Sequence, residues 1–166
     1  MTLALAAVEH RQAIERAELF DLAGLVRDAA SEFEPQLAAS AIVLRIDAPV
    51  APIRISGDRF LVGQAIRNLL QNAQEFSPHG GTIVVSLRVE GGDAVLAVRD
   101  QGPGVPEFAL PKVFDRFYSL ARPDGQRSSG LGLCFVREVA SLHQGTATLA
   151  NDPAGGAIAT LRLPLA

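Results

Sequence analysis

Asn68 and Asn72 stand one helical turn apart, and Gln64 and Glu75 continue the same three- and four-residue step. On a helix such residues are surface neighbours. Two amide oxygens would then project from one face. Neutral oxygens beside phosphates suit Mg²⁺, which takes oxygen ligands and keeps several waters. Further on, the run Asp100-Gln101-Gly102-Pro103-Gly104 follows an apolar stretch. An ionised carboxylate is acceptor-only and can take the exocyclic amine of adenine. The glycines beside it let backbone approach a ligand closely. A third run, Ser128-Ser129-Gly130-Leu131-Gly132-Leu133, stands directly before a stretch of helical spacing. Amides at the positive end of a helix can cradle phosphates. Between these runs, Phe114 and Phe117 lie one helical step apart, and the polar stretch 121–129 includes Arg122, Pro123, Asp124, Gly125 and Arg127. Such a stretch can close over a nucleotide as a lid. Taken singly, each pattern is commonplace: a polar helix face is often only solvated, Asp-x-Gly-x-Gly is often a turn, and Gly-Leu-Gly-Leu can serve close helix packing.

The elements that must position these residues follow from periodicity. Residues 58–77 read as one amphipathic helix, with Val62, Ala65, Ile66, Leu69, Leu70, Ala73 and Phe76 at helical spacing. Glu18 to Asp21 reads as a short edge strand. Asp21 can cap a helix reaching about Ala39, with Leu22, Leu25, Val26, Ala29 and Phe33 inward. Residues 42–46 read as a strand, closed by the region of Pro49 and Pro52. Residues 82–90 and 94–100 form a hairpin around Gly91-Gly92-Asp93. A loop region runs from Gln101 to about Gly130, and residues 131–143 return to helical spacing. Residues 146–150 and 157–163 read as strands joined by a turn carrying Pro153, Gly155 and Gly156. Helices with mostly antiparallel strands predict an α+β two-layer sandwich. Residues 3–16 are rich in alanine and charge, and read as the end of a longer helix.

Composition narrows the function classes. The 166 residues are 48% hydrophobic and 20% charged, which suits one globular domain with a sizeable core. A net charge of −3 supplies no basic footprint for nucleic acid. With no tryptophan and one tyrosine, stacking on bases is disfavoured. The single cysteine, Cys134, excludes an internal disulfide. No apolar run has the length of a membrane span, and the N-terminus lacks the charged start of a signal peptide.

In this order the motifs resemble the N, G1, F and G2 boxes of sensor histidine kinase ATP-binding domains, part of the Bergerat-fold superfamily that includes gyrase. The stretch from Phe114 to Leu133 is most similar to CreC-type sensor kinases. The resemblance covers roughly residues 19–163 and implies a mixed, mostly antiparallel sheet with an ATP lid. It implies a nucleotide site of Asn68, Asn72, Glu75, Asp100, Gly102, Gly104, Phe114, Phe117, Arg127, Ser129, Gly130, Leu131, Gly132, Leu133 and Thr160. Asn72 and Asn68 would hold Mg²⁺, Asp100 the adenine amine, the Phe pair the lid base, and the glycines the phosphates. Three positions depart from the pattern. Glu75 stands where many members carry a basic residue, Ser128 replaces a glycine, and Ser119 stands where an arginine often follows. Arg122 or Arg127 can supply the missing positive charge.

The resemblance also implies what lies around this domain. Residues 1–17 correspond to the end of a dimerisation helix and linker, and residues 18–166 to the catalytic domain. None of His10, His79 and His143 sits in the family's acceptor motif. The phosphoacceptor is therefore expected on a separate dimerisation domain, within a homodimeric, membrane-anchored parent whose catalytic part is cytoplasmic. A response regulator would be the indirect partner. Two other readings share the fold: a nucleotide-binding scaffold without transfer, and an anti-sigma-type serine kinase.

Overall fold

The computed structural model describes residues 17–116, 118 and 132–166. The expected N-terminal helix of residues 3–16 and the lid therefore lie outside the described residues. In chain order the elements are β1 (Glu18–Asp21), α1 (Leu22–Ala39), β2 (Val43–Asp47), β3 (Arg54–Gly57), α2 (Arg59–Phe76), β4 (Thr82–Glu90), β5 (Asp93–Arg99), a 3₁₀ turn (Leu110–Lys112), α3 (Gly132–Leu142), β6 (Thr146–Asn151) and β7 (Ala157–Pro164). Among the described residues, no helix is long and apolar enough to cross a membrane.

Both long helices begin at an aspartate because its side chain satisfies amides that the first turn leaves unpaired. Asp21 Oδ1 accepts the Ala23 amide at 3.0 Å and the Ile53 amide at 2.9 Å. One atom thus starts α1 and pins the segment that leads into β3. Asp58 Oδ1 accepts the Leu61 amide at 3.1 Å and starts α2. The apolar stripe of α2 is fully buried at Val62, Ala65 and Ile66. Arg67 turns the other way and grips Glu32 of α1 through two bonds of 2.8 and 3.1 Å. As a solvent-exposed pair it adds little to stability.

The main sheet has the strand order β2-β4-β5-β7-β6. β2 pairs with β4 in parallel, and the other neighbours are antiparallel. Alternate residues face the helices: Ile83, Val85 and Leu87 of β4, Leu96 and Val98 of β5, and Ala159, Leu161 and Leu163 of β7. Helices packed on one face make the two-layer α+β sandwich expected from the pattern. At the β4–β5 turn Gly91 and Gly92 both have positive φ, 58° and 85°, the backbone twist that a two-residue hairpin requires.

β3 is the element that periodicity misses. It has four residues and follows Pro52, too few for a period of two to be read. It forms because Phe20 and Ile55, both buried, come opposite each other in an antiparallel pair with β1. The resulting two-stranded ribbon stands apart from the main sheet and feeds directly into the cap of α2.

Candidate functional site

Three segments converge at one end of the sandwich: the polar stripe of α2, the loop after β5 and the first turn of α3. Asn68 is 7% exposed, although it is polar. Its Oδ1 accepts Gln64 Nε2 at 3.1 Å, and its Nδ2 donates to the carbonyl of Gly132 at 3.3 Å. The side chain therefore joins α2 to the first residue of α3. Asn72 follows one turn later, half-buried. Glu75, also half-buried, accepts Gln71 Nε2 at 3.3 Å. Gly132 and Leu133 open the eleven-residue α3, where a helix presents amides with no partner of its own.

Asp100 is 5% exposed. Its Oδ1 accepts the amides of Gly102 at 2.9 Å and Ala157 at 3.2 Å. Among the described residues nothing donates to Oδ2, so one carboxylate oxygen is committed to the fold and the other remains to accept from a ligand. Burial pushes the carboxyl above its ordinary range, and the two amides pull it part of the way back. The loop after it lies hard against its neighbours. A Cβ on Gly102 would come 2.2 Å from the carbonyl oxygen of Phe76, at the end of α2. A Cβ on Gly156 would come 2.0 Å from the carbonyl oxygen of Asp100. Both positions need glycine for room.

The structure brings Asn68, Asn72, Glu75, Asp100, Gly102, Gly104, Gly132 and Leu133 onto this end. Phe114 is half-buried in the turn that follows the 3₁₀ segment. Thr160 is not brought to the same face. It pairs with Ala97, whereas Asp100 lies opposite Ala157, and residues alternate sides along a strand. Thr160 therefore projects on the side of the sheet away from Asp100, and Ala157 and Ala159 of β7 share the Asp100 side. Phe117, Arg127, Ser129, Gly130 and Leu131, with Ser119 and Ser128, lie outside the described residues.

Sequence reasoning missed several residues that hold the site loop or lock together the helices that carry the site. Gln101 Oε1 accepts the Thr82 amide at 2.9 Å, fixing the loop to the start of β4. Asn151, at the end of β6, bonds the backbone of Val105. His143 lies buried at the end of α3. Its Nε2 accepts the Asp58 amide at 3.0 Å, so its Nδ1 carries the proton and donates to the Val139 carbonyl at 2.7 Å. Burial pushes this imidazole below its usual range, partly offset by the Val139 carbonyl and by the charge of Asp58. Of these positions, only Gln101 stood within a run that the sequence singles out, the Asp100–Gly104 stretch.

Comparison with known proteins agrees with this geometry. Residues 57–166 match the family described as histidine kinase-, DNA gyrase B- and HSP90-like ATPases. The sensor protein CreC of Escherichia coli K12 is 42% identical over 158 residues, covering 95% of this chain and 33% of that protein. The sensor-like histidine kinase SenX3 of Mycolicibacterium smegmatis is 36% identical over 146 residues, covering 87% of this chain and 38% of that protein. The chain thus spans about a third of the length of these two relatives. Among solved structures, the mycobacterial sensor histidine kinase MprB superposes with a TM-score of 0.79 at 30% identity, covering 90% of this chain and 98% of that one. The catalytic domain of the histidine kinase ThkA gives 0.81 at 25% identity, covering 90% and 97%. A carboxylate at the end of a central strand, an asparagine stripe on the adjoining helix and a glycine-led helix opposite are thus set in a fold shared with kinase catalytic domains, and the chain belongs to the histidine kinase-, DNA gyrase B- and HSP90-like ATPases, among the catalytic domains of sensor histidine kinases.

Proposed function

We propose that this chain binds ATP with Mg²⁺ and, within its parent protein, transfers the γ-phosphoryl group to a histidine on a separate dimerisation domain. The observation that carries the reading is Asp100: a buried carboxylate with one oxygen fixed by two amides and the other left for a donor. A nucleobase amine is such a donor. Gly102 lets the loop pack against the Phe76 carbonyl at the end of α2, beside the Asp100 carboxylate. Asn72 and Asn68 would hold Mg²⁺ through amide oxygens, and Gly132 and Leu133 would offer amides to phosphate. The remaining contacts, from Phe114, Phe117, Glu75, Arg127, Ser129, Gly130 and Leu131, follow from resemblance to the family. The cation, when bound, neutralises charge on the transferring phosphoryl group. What these residues contribute is orientation and fixed dipoles.

The histidine environments support an acceptor elsewhere. Both ring nitrogens of His143 are engaged in the fold. His79 sits in the exposed turn after α2. Residues 1–17 are assigned to the dimerisation helix and linker, with a cytoplasmic catalytic domain in a membrane-anchored homodimer that passes phosphate to a response regulator. ThkA has been solved in complex with the response regulator protein TrrA, in keeping with that order of partners. Glu75 favours one second reading, nucleotide binding without transfer, because it puts negative charge beside the Asn stripe. Radiolabelled ATP separates the two. The chain alone should stay unlabelled, and the parent's dimerisation domain added in trans should acquire acid-labile label slowly. Unlabelled protein in both arms, with ATP binding demonstrated, selects the second reading.

A further inference from the structure

The loop that carries the adenine-facing groups runs from Asp100 to Val105, and one cross-strand pair holds both of its ends. Asn151 and Ala157 face each other where β6 meets β7. Ala157 takes the near end: its carbonyl accepts the Asp100 amide at 3.0 Å, and its amide reaches Asp100 Oδ1 at 3.2 Å. Asn151 takes the far end. Its Oδ1 accepts the Val105 amide at 2.7 Å, and its Nδ2 donates to the Val105 carbonyl at 2.7 Å. Two bonds from one side chain to both backbone groups of one residue reproduce the exchange that a hydrogen-bonded strand partner would make. The turn behind it is braced as well, since Arg99 Nε meets Asp152 Oδ2 at 2.9 Å. We propose that Asn151 is a positioning residue for base recognition, which sets how Asp100 and the Gly102–Gly104 backbone meet adenine without touching the nucleotide itself. This rests on the nucleotide-site reading above.

The physical basis is preorganisation. A loop held at both ends has already lost its conformational freedom before a ligand arrives, so binding need not order it. Asn151 is exposed, and removing it opens no cavity in the core. Its loss should therefore weaken base recognition more than the fold. The residues assigned to metal and phosphate stand on α2 and the first turn of α3 rather than on this loop, and their contacts should be spared.

The test measures ATP and GTP binding by calorimetry for the parent, Asn151→Ala and Asn151→Asp, with melting temperature and amide exchange recorded beside it. Freeing about one residue of backbone corresponds to roughly a tenfold rise in Kd for ATP in Asn151→Ala. The GTP value should move by less than about twofold, so the preference for adenine falls. Asn151→Asp keeps the acceptor for the Val105 amide but sets a carboxylate oxygen against its carbonyl, and should lose at least as much as Asn151→Ala. Exchange at Val105 should quicken in both variants. Unchanged ATP affinity and unchanged adenine preference, with faster exchange at Val105, overturn the proposal while leaving the nucleotide site intact. A parent protein that binds neither nucleotide removes the site reading, and the proposal with it.

Discussion

Asp100→Asn isolates base recognition from folding. The amide has the shape of the carboxylate, and its orientation is decided in advance. Oδ1 sits against two donors, the amides of Gly102 and Ala157 at 2.9 and 3.2 Å. Turning the NH₂ toward them would oppose donors to donors, so oxygen stays there and nitrogen takes the place of Oδ2. The variant thus keeps both internal bonds and sheds a buried charge, and its melting temperature should hold or rise. Toward the ligand, an acceptor becomes a donor facing the adenine amine. Losing a charged hydrogen bond of about 1.5–3 kcal/mol raises Kd for ADP by about 10- to 150-fold. Calorimetry with ADP at pH 8, repeated with GDP, reads this directly. The pH axis offers a second check. Burial places the Asp100 pKa above the ordinary carboxylate range, so ADP affinity in the parent should fall with decreasing pH sooner than for an exposed aspartate, once the carboxylate takes up a proton. Asp100→Asn has no such proton, and that component of the profile should vanish. An unchanged Kd for ADP in a folded variant would show that this carboxylate does not read the base.

Asn72→Ala should weaken Mg²⁺-ATP while leaving metal-free ADP nearly unchanged, and equal losses with and without metal by calorimetry would remove Asn72 from the cation site. His143→Ala leaves the Asp58 amide without its acceptor and should lower stability by about 1–3 kcal/mol in chemical denaturation. In the parent, the folded pKa of His143 is depressed below its unfolded value of about 6.5. Its contribution is present above that value and is lost as pH falls toward the folded pKa, a slope that His143→Ala should flatten. Gly156→Ala must displace the Asp100 carbonyl, so nucleotide affinity should drop even where thermal denaturation shows a folded protein.

Much of this architecture was legible because it is local. The caps at Asp21 and Asp58, the apolar stripe of α2, and the glycine turn between β4 and β5 each declare themselves within a few residues. So do Asn68, Asn72 and Asp100, which are polar residues in apolar company. What stayed hidden depends on distant pairing. β3 exists because Phe20 finds Ile55, and His143 matters because the chain brings it to Asp58, 85 residues away. Asn151 reads as an unremarkable strand end until Val105 is set beside it. Thr160 was read as near the base from its place on the last strand, yet strand membership says nothing of side. Register decides that, and register is set by pairing between β5 and β7.

The bond from Asn68 to the Gly132 carbonyl bears on which residue type can occupy position 68. A carboxylate would bring a second oxygen to within 3.3 Å of that carbonyl, with no hydrogen between them. Repulsion would push the first turn of α3 away from α2. The amide avoids this because its two ends differ: nitrogen satisfies the carbonyl, and the bond thereby aims the oxygen the other way. It also leaves the cavity one negative charge poorer than aspartate would. If the site takes Mg²⁺-ATP as proposed, that charge difference matters, since each carboxylate recruited for a divalent cation also repels the phosphates that accompany it. In the proposed Mg²⁺-ATP site, neutral ligands would leave the cation's charge to the phosphates, and the Gly132 bond fixes which end of Asn68 is the oxygen, the end that accepts Gln64 Nε2.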